Sequence, residues 1–301
     1  MSENLTAINR EYKNWLDTLG FSHSIVYGYN LHVKDFFEWL SQNQISHITQ
    51  LTKQHIKSYY QYLETRPNKR RKGGLSVAHL NKIFDAIDKL MEFLNQIEVA
   101  TAPAPINYRI HQDKYLRVDK IQPFTVEEIK ELQANIKNTF LHSTFKKRAT
   151  KHAQLHLIFA LFYGCGLRRT EGMKLKITDI NFDNKTLFVH QGKNYKDRVV
   201  PLSDGVYKAL QEYIYNFRNL EKPNHKRLFL QGECVLANNL KTLQKITNNQ
   251  QIQAKKLSFH LLRHSIATHL LQNSVSIENI AQFLGHSSLE STQIYTHIIN
   301  R

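Results

Sequence analysis

Apolar side chains recur at helical spacing through the first hundred residues, in Tyr12, Trp15, Leu16 and Leu19 and again in Val33, Phe36, Phe37 and Leu40. Residues three and four apart share one helix face, so the pattern predicts a bundle of four or five short helices over residues 5–96. Ser22, Thr52 and Ser76 each precede such a stretch and can accept the free N–H groups of a first turn. Helix starts near 23, 53 and 77 follow. Aromatic rings at these positions are read as core, because large rings dominate burial. The helical tyrosines Tyr59, Tyr60 and Tyr213 are read as structural for the same reason.

The pattern breaks at Ala100-Thr101-Ala102-Pro103-Ala104-Pro105, whose composition is extended and linker-like. This divides the chain into a helical domain over 1–100, a linker over 101–122 and a second domain over 123–301. Thr125 and Glu128 then form a capping-box pattern, in which each side chain satisfies the other's orphan backbone donor. Gln154–Leu167 reads as a largely apolar helix that delivers Arg168. Lys176–Leu202 reads as three short strands, with turns at Asp183-Asn184 and at Gly192–Lys196. From Gly205 onward the chain is helical. The fold class is therefore mainly α with a small antiparallel β-sheet.

Charge narrows the range of partners. Lys and Arg number 41 against 25 Asp and Glu, a net charge of +16. Residues 1–105 hold 12 basic and 10 acidic side chains, and residues 106–301 hold 29 and 15. So large an excess is expected of a polyanion binder that presses hardest on the second part. The longest apolar run, Leu157–Cys165, is shorter than the roughly 20 residues a bilayer span requires, so no membrane partner is expected. The opening residues carry no basic or apolar leader pattern, and two cysteines cannot form a disulfide framework, so a cytoplasmic location is expected.

The run Arg66-Pro67-Asn68-Lys69-Arg70-Arg71-Lys72-Gly73-Gly74 contains a Pro and paired glycines, which exclude a helix interior. It is a basic loop. It could be a solvated cluster, but four successive cations repel one another unless an anion screens them. Lys69, Arg70, Arg71 and Lys72 are therefore expected to contact the phosphates of a polyanion.

Three separated boxes carry the chemistry. The first is Tyr163-Gly164-Cys165-Gly166-Leu167-Arg168-Arg169-Thr170-Glu171. The second is Gly192-Lys193-Asn194-Tyr195-Lys196-Asp197-Arg198-Val199-Val200-Pro201-Leu202. The third runs from His260-Leu261-Leu262-Arg263-His264-Ser265 through Gly285-His286 to Tyr295. In this order they resemble the catalytic domain of the tyrosine recombinases, the phage-integrase and Xer-like family. Leu19-Gly20-Phe21-Ser22, Tyr29 and Phe36-Phe37-Glu38-Trp39-Leu40 are similar to that family's N-terminal core-binding domain. The resemblance thus implies a helical core-binding domain followed by an α+β catalytic domain.

A phosphodiester under attack builds charge on its non-bridging oxygens, which preorganised donors must neutralise. Arginine suits this task because its planar fork binds two oxygens and stays charged. The resemblance assigns Arg168 and Arg263 to that role, with His286 adding a hydrogen bond, and makes Tyr295 the nucleophile. A tyrosine hydroxyl with a reference pKa near 10 needs help to lose its proton. His260 is the expected acceptor. The departing 5′-oxygen needs a proton in turn, and Lys193 matches the family's general acid, with Lys196 as the competing candidate. Glu171 is expected to orient a site residue, Arg169 to reach phosphate or face solvent, and His264, His269 and His297 to pack or support.

The activity implied is site-specific cleavage and rejoining of double-stranded DNA through a 3′-phosphotyrosyl intermediate, without metal, ATP or another cofactor, by a homo-oligomer on DNA, a tetramer by resemblance. The zinc-like spacing of His260 and His264 lacks the H-E-x-x-H glutamate, since position 261 is Leu. Xer-like relatives usually carry a further helix after the nucleophile, whereas six residues follow Tyr295 here, so either the chain is shortened or its protomers couple differently. The competing readings are a type IB topoisomerase, which would relax DNA without a site requirement, and a non-catalytic DNA-binding protein, which would form no covalent adduct.

Overall fold

The computed structural model describes residues 1–69, 71–111, 121–190, 197–221 and 223–299. The chain divides into two compact units, Met1–Asp113 and Lys114–Arg301.

Among its described residues the first unit has four α-helices, α1 (Glu3–Thr18), α2 (His23–Gln42), α3 (Lys53–Thr65) and α4 (Val77–Gln96). The Thr52 and Ser76 hydroxyls accept the His55 and His79 N–H groups and fix the starts of α3 and α4. Ser22 departs from this expectation, since its hydroxyl lies 3.2 Å from that of Ser24 and makes no cap bond. Tyr12, Phe36, Phe37 and Phe84 are fully buried between the helices, with Tyr59 and Tyr60 beside them. The aromatic stripes are core.

The expected linker is docked over its first half. Val99, Ala102, Ile106 and Ile110 pack on the core of the first unit. The buried Asp88 carboxylate on α4 accepts the Ile106 and Asn107 N–H groups and pairs with Arg109. The Asn81 amide exchanges two hydrogen bonds with the backbone of Ile110. Proline-rich composition predicts an extended path, but two polar side chains on α4 decide that this path lies on the helix.

In the second unit α5 (Val126–Ala134) begins at the Thr125/Glu128 capping box, with both reciprocal bonds formed. Next comes α6 (Phe145–Ile158), which is followed by six residues of π-helix, Phe159–Gly164, and then α7 (Arg169–Lys174). The apolar run at 154–167 is thus two wound segments rather than one helix. Three antiparallel strands follow in the order β1 (Ile180–Asn181), β2 (Thr186–Val189), β3 (Arg198–Pro201). The expected second turn, Gly192–Lys196, lies outside the described residues.

The remaining helices are α8 (Asp204–Tyr213), α9 (Glu233–Ile246), α10 (Gln250–Ala254), α11 (Phe259–Gln272), α12 (Ile277–Leu284) and α13 (Glu290–Ile299). The π segment is part of the core of this unit, with Phe162 and Phe259 rings 4.5 Å apart. A smaller cluster of Ala267, Ile280, Leu284 and Tyr295 joins α11, α12 and α13. The protein is mainly helical with one small antiparallel sheet.

Candidate active site

Two left-handed glycines bring the first and third boxes together. Gly166, at φ 58, turns the chain out of the π segment, and a Cβ there would stand 2.8 Å from Phe283 and 2.9 Å from Leu284. Its carbonyl accepts Arg263 Nη1 at 2.6 Å. Gly285, at φ 65, ends α12, and its carbonyl accepts Arg168 Nη2 at 2.6 Å. The glycine of each box therefore orients the arginine of the other. Only glycine takes these angles without strain, so the backbone turns and the guanidinium positions are one device.

Arg263 is buried, and its Nη2 donates to the Leu284 carbonyl at 2.8 Å. Burial, followed by the nearby Arg168 charge, draws its pKa down to about 10. Glu171, one helical turn after Arg168, is the anionic hub. Its carboxylate accepts Arg168 Nη1 at 2.8 Å and the Arg168 backbone N–H at 2.8 Å. It also accepts Arg198 Nη1 and Nη2 at 3.2 and 3.0 Å, and lies 3.9 Å from Arg263. Burial pushes the Glu171 pKa up, but Arg198 and Arg168 outweigh it, and the net shift is downward. Among the described residues, three guanidiniums around one carboxylate leave an excess of two positive charges in a largely dry site. Such a cluster is matched by an anion.

Tyr295 reaches this cluster from α13. Its side chain is 1% exposed, and its hydroxyl lies 3.1 Å from His264 Nδ1. Burial pushes its pKa up to about 12, against the pull of Arg263 and Arg168. The His286 ring lies parallel to the Tyr295 ring with centroids 6.4 Å apart, and its Nδ1 is held 2.7 Å from Thr292 Oγ1. Burial and then Arg263 depress the His286 pKa to about 3, which leaves the ring neutral.

The two histidines of α11 are placed differently with respect to Tyr295. His260 lies on the exposed side of α11, and among the described residues the imidazole hydrogen-bonded to Tyr295 is that of His264. The sequence pattern assigns His264 to packing or support. Its one distinguishing signal is its place beside Arg263, which puts it on the neighbouring strip of α11. Arg198 is legible only as the basic residue before Val199-Val200-Pro201-Leu202, and Thr292 carries no signal at all. Arg169 pairs with Glu233 at 2.7 Å on the surface. His269 is a strut, with Nδ1 2.9 Å from the Tyr163 hydroxyl and Nε2 2.8 Å from the Phe124 carbonyl.

Two expectations lie partly or wholly outside the described residues. Lys193 and its competitor Lys196 are both outside. Of the basic loop, Arg70 is outside, while Lys69, Arg71 and Lys72 are exposed on a turn closed by Asn68 N–H on the Gly73 carbonyl at 2.8 Å.

Residues 122–301 match the phage integrase family. A tyrosine recombinase XerD of Staphylococcus epidermidis is 30% identical over 98% of this chain and 95% of its own length. The chain belongs to the phage integrase family. It is a tyrosine recombinase. Its likeness extends to a tyrosine recombinase XerA of Thermococcus onnurineus, 29% identical over 98% of this chain and 92% of that protein. Among solved structures, the XerH site-specific recombinase bound to palindromic difH substrate shares the fold, with TM-score 0.70 and 20% identity over 91% of this chain and 76% of that one. The Tn1549 transposon integrase in complex with transposon right-end DNA does so with TM-score 0.68 and 18% identity over 96% and 94%. Among the described residues no helix of this recombinase is long and apolar enough to cross a membrane.

Proposed function

We propose that this recombinase cleaves and rejoins double-stranded DNA at specific sites by attack of Tyr295 Oη on a phosphodiester held by Arg168 and Arg263, with His286 donating to the same phosphate. The observation that carries this reading is a tyrosine hydroxyl set beside three guanidiniums that, among the described residues, gather around the single carboxylate of Glu171. A scissile phosphate would neutralise their excess positive charge as charge builds in the transition state. Two of the five Arg263 donors go to carbonyls, so its fork is aimed before DNA arrives. The 5′-oxygen leaves with a proton from Lys193, and the 3′-phosphotyrosyl bond retains the energy of the broken linkage for religation.

Matches that span the N-terminal helical unit as well as the catalytic unit support recombination over supercoil relaxation. DNA is the partner, with copies of this chain paired on it, and the reaction belongs in the cytoplasm, where the DNA is. Replacing Tyr295 by Phe removes one oxygen and little volume, so folding and DNA binding persist while the covalent adduct disappears. With a nicked suicide duplex the wild type traps an SDS-resistant, protease-sensitive species whose phosphate maps to Tyr295. An adduct formed by the Phe variant, or mapped to another residue, overturns the assignment.

A further inference from the structure

The hydroxyl of Tyr295 has a partner that places its proton. The Tyr295 hydroxyl lies 3.1 Å from His264 Nδ1, an atom that accepts the phenolic O–H when the imidazole is neutral with its proton on Nε2. An Nδ1 that accepts fixes the neutral tautomer of His264, with its proton on Nε2. The imidazole also lines a cavity of about 300 Å³, whose wall is shared by His260, Ser258, Lys255 and Lys256. His260 and His264 are four residues apart on α11, so they share one helix face toward that cavity.

We propose that His264 is a catalytic residue that accepts the proton of Tyr295 at Nδ1 and releases the proton on Nε2 into the cavity it shares with His260. The proposal rests on Tyr295 being the nucleophile. As the Tyr295 Oη–phosphorus bond forms and the bond from phosphorus to the 5′-oxygen breaks, the phenolic proton moves to His264 Nδ1. The electron pair of the broken bond leaves on the 5′-oxygen, which takes its proton from the general acid on the other side. The imidazolium then loses its Nε2 proton to water in the cavity or to His260, and religation runs the same path backwards.

The surroundings keep His264 ready to accept. Burial, then His260 and Arg263, hold its pKa down to about 4, so the free ring is neutral throughout the physiological range. The groups that face it are His260 and Arg263 on its own helix, Tyr295 on α13, His286 before α13, and Lys255 and Lys256 across the cavity. Lys255 is itself paired with Glu128 at 2.6 Å. A bound phosphate offsets the Arg263 charge and so raises the basicity of His264 at the moment a base is needed.

The test is single-turnover adduct formation on a nicked suicide duplex, its sequence selected from a random library by capture of SDS-resistant protein–DNA adducts. DNA retention is measured in parallel. His264→Ala is expected to slow the covalent step by about 10²-fold or more with DNA retention intact. Imidazole restores at least tenfold, and without imidazole the residual rate rises about tenfold per pH unit between pH 6.5 and 8.5. His264→Asn, which keeps a hydrogen-bonding group near the phenol but no base, remains slow with the same steep pH profile. An Asn variant at the wild-type rate with a wild-type pH profile overturns the proposal, and decides it even where the Ala variant fails to fold. In the same assay, a wild-type adduct on Tyr295 together with a normal Asn variant removes the relay alone. A wild type that forms no adduct on Tyr295 removes the nucleophile assignment as well.

Discussion

Glu171 offers the sharpest perturbation of the site. Its buried carboxylate receives four hydrogen bonds, two from Arg168 and two from Arg198, and stands 3.9 Å from Arg263. Truncation to Ala leaves three neighbouring guanidiniums without the carboxylate between them, and breaking a buried ion pair from one side costs about 3–5 kcal/mol. Glu171→Gln retains part of the hydrogen bonding and loses the charge, so its expected loss is smaller, about 1–3 kcal/mol. The loss is read from urea unfolding followed by far-UV circular dichroism. Both tryptophans, Trp15 and Trp39, lie in the first unit, so their fluorescence serves as an internal reference for that unit. The same variants raise the positive excess of the cluster by one charge, so inorganic phosphate or sulfate should stabilise them more than it stabilises the wild type. The pKa of Glu171 is depressed in the folded protein, so its contribution is present above the ordinary value of 4.5 and is lost as pH falls through the lower folded value. Acid unfolding should therefore be less steep in the Gln variant. A loss below about 1 kcal/mol for the Ala variant, with no added anion response, would refute the view that Glu171 holds the arginines in place.

Three further outcomes are expected. Replacing Lys69, Arg70, Arg71 and Lys72 by Ala should flatten the dependence of DNA affinity on salt, by roughly one unit of slope for each phosphate that the loop neutralises; an unchanged slope between about 50 and 200 mM salt returns the loop to a solvated cluster. Lys193→Ala should fail on an ordinary duplex yet cleave one whose bridging 5′-oxygen is sulfur, because a thiolate leaves without a proton; rescue of Lys196→Ala in its place moves the general acid along the loop. His264 stays neutral in the fold down to about pH 4 while its unfolded counterpart protonates near 6.5, so stability should fall as pH drops through that window. The slope due to this residue approaches about 1.4 kcal/mol per pH unit, and His264→Asn should remove it in a urea titration repeated across pH.

Periodicity and capping act over three or four residues, so the helical bundle, the three short strands and the capped starts of α3 and α4 are all written in the linear order of the chain. The chemistry is written there too, since glycine-arginine and glycine-histidine pairs with a following tyrosine are dense in local information. Which groups meet is settled by packing. Residues 100–105 are extended by composition, yet Asp88 and Asn81 on α4 hold the chain that follows them, at Ile106 and Ile110, to the first unit. Gly166 and Gly285 are conspicuous as turn formers, but that each presents its carbonyl to the other box's arginine depends on packing 97 and 117 residues away. Arg198 converges on Glu171 across 27 residues. His264 and His260 are equivalent by composition, and only the rotation of α11 against α13 sets one on the tyrosine hydroxyl and leaves the other at the exposed edge of the cavity. Such choices are made by long-range burial of a few polar atoms, for which linear spacing carries no signal.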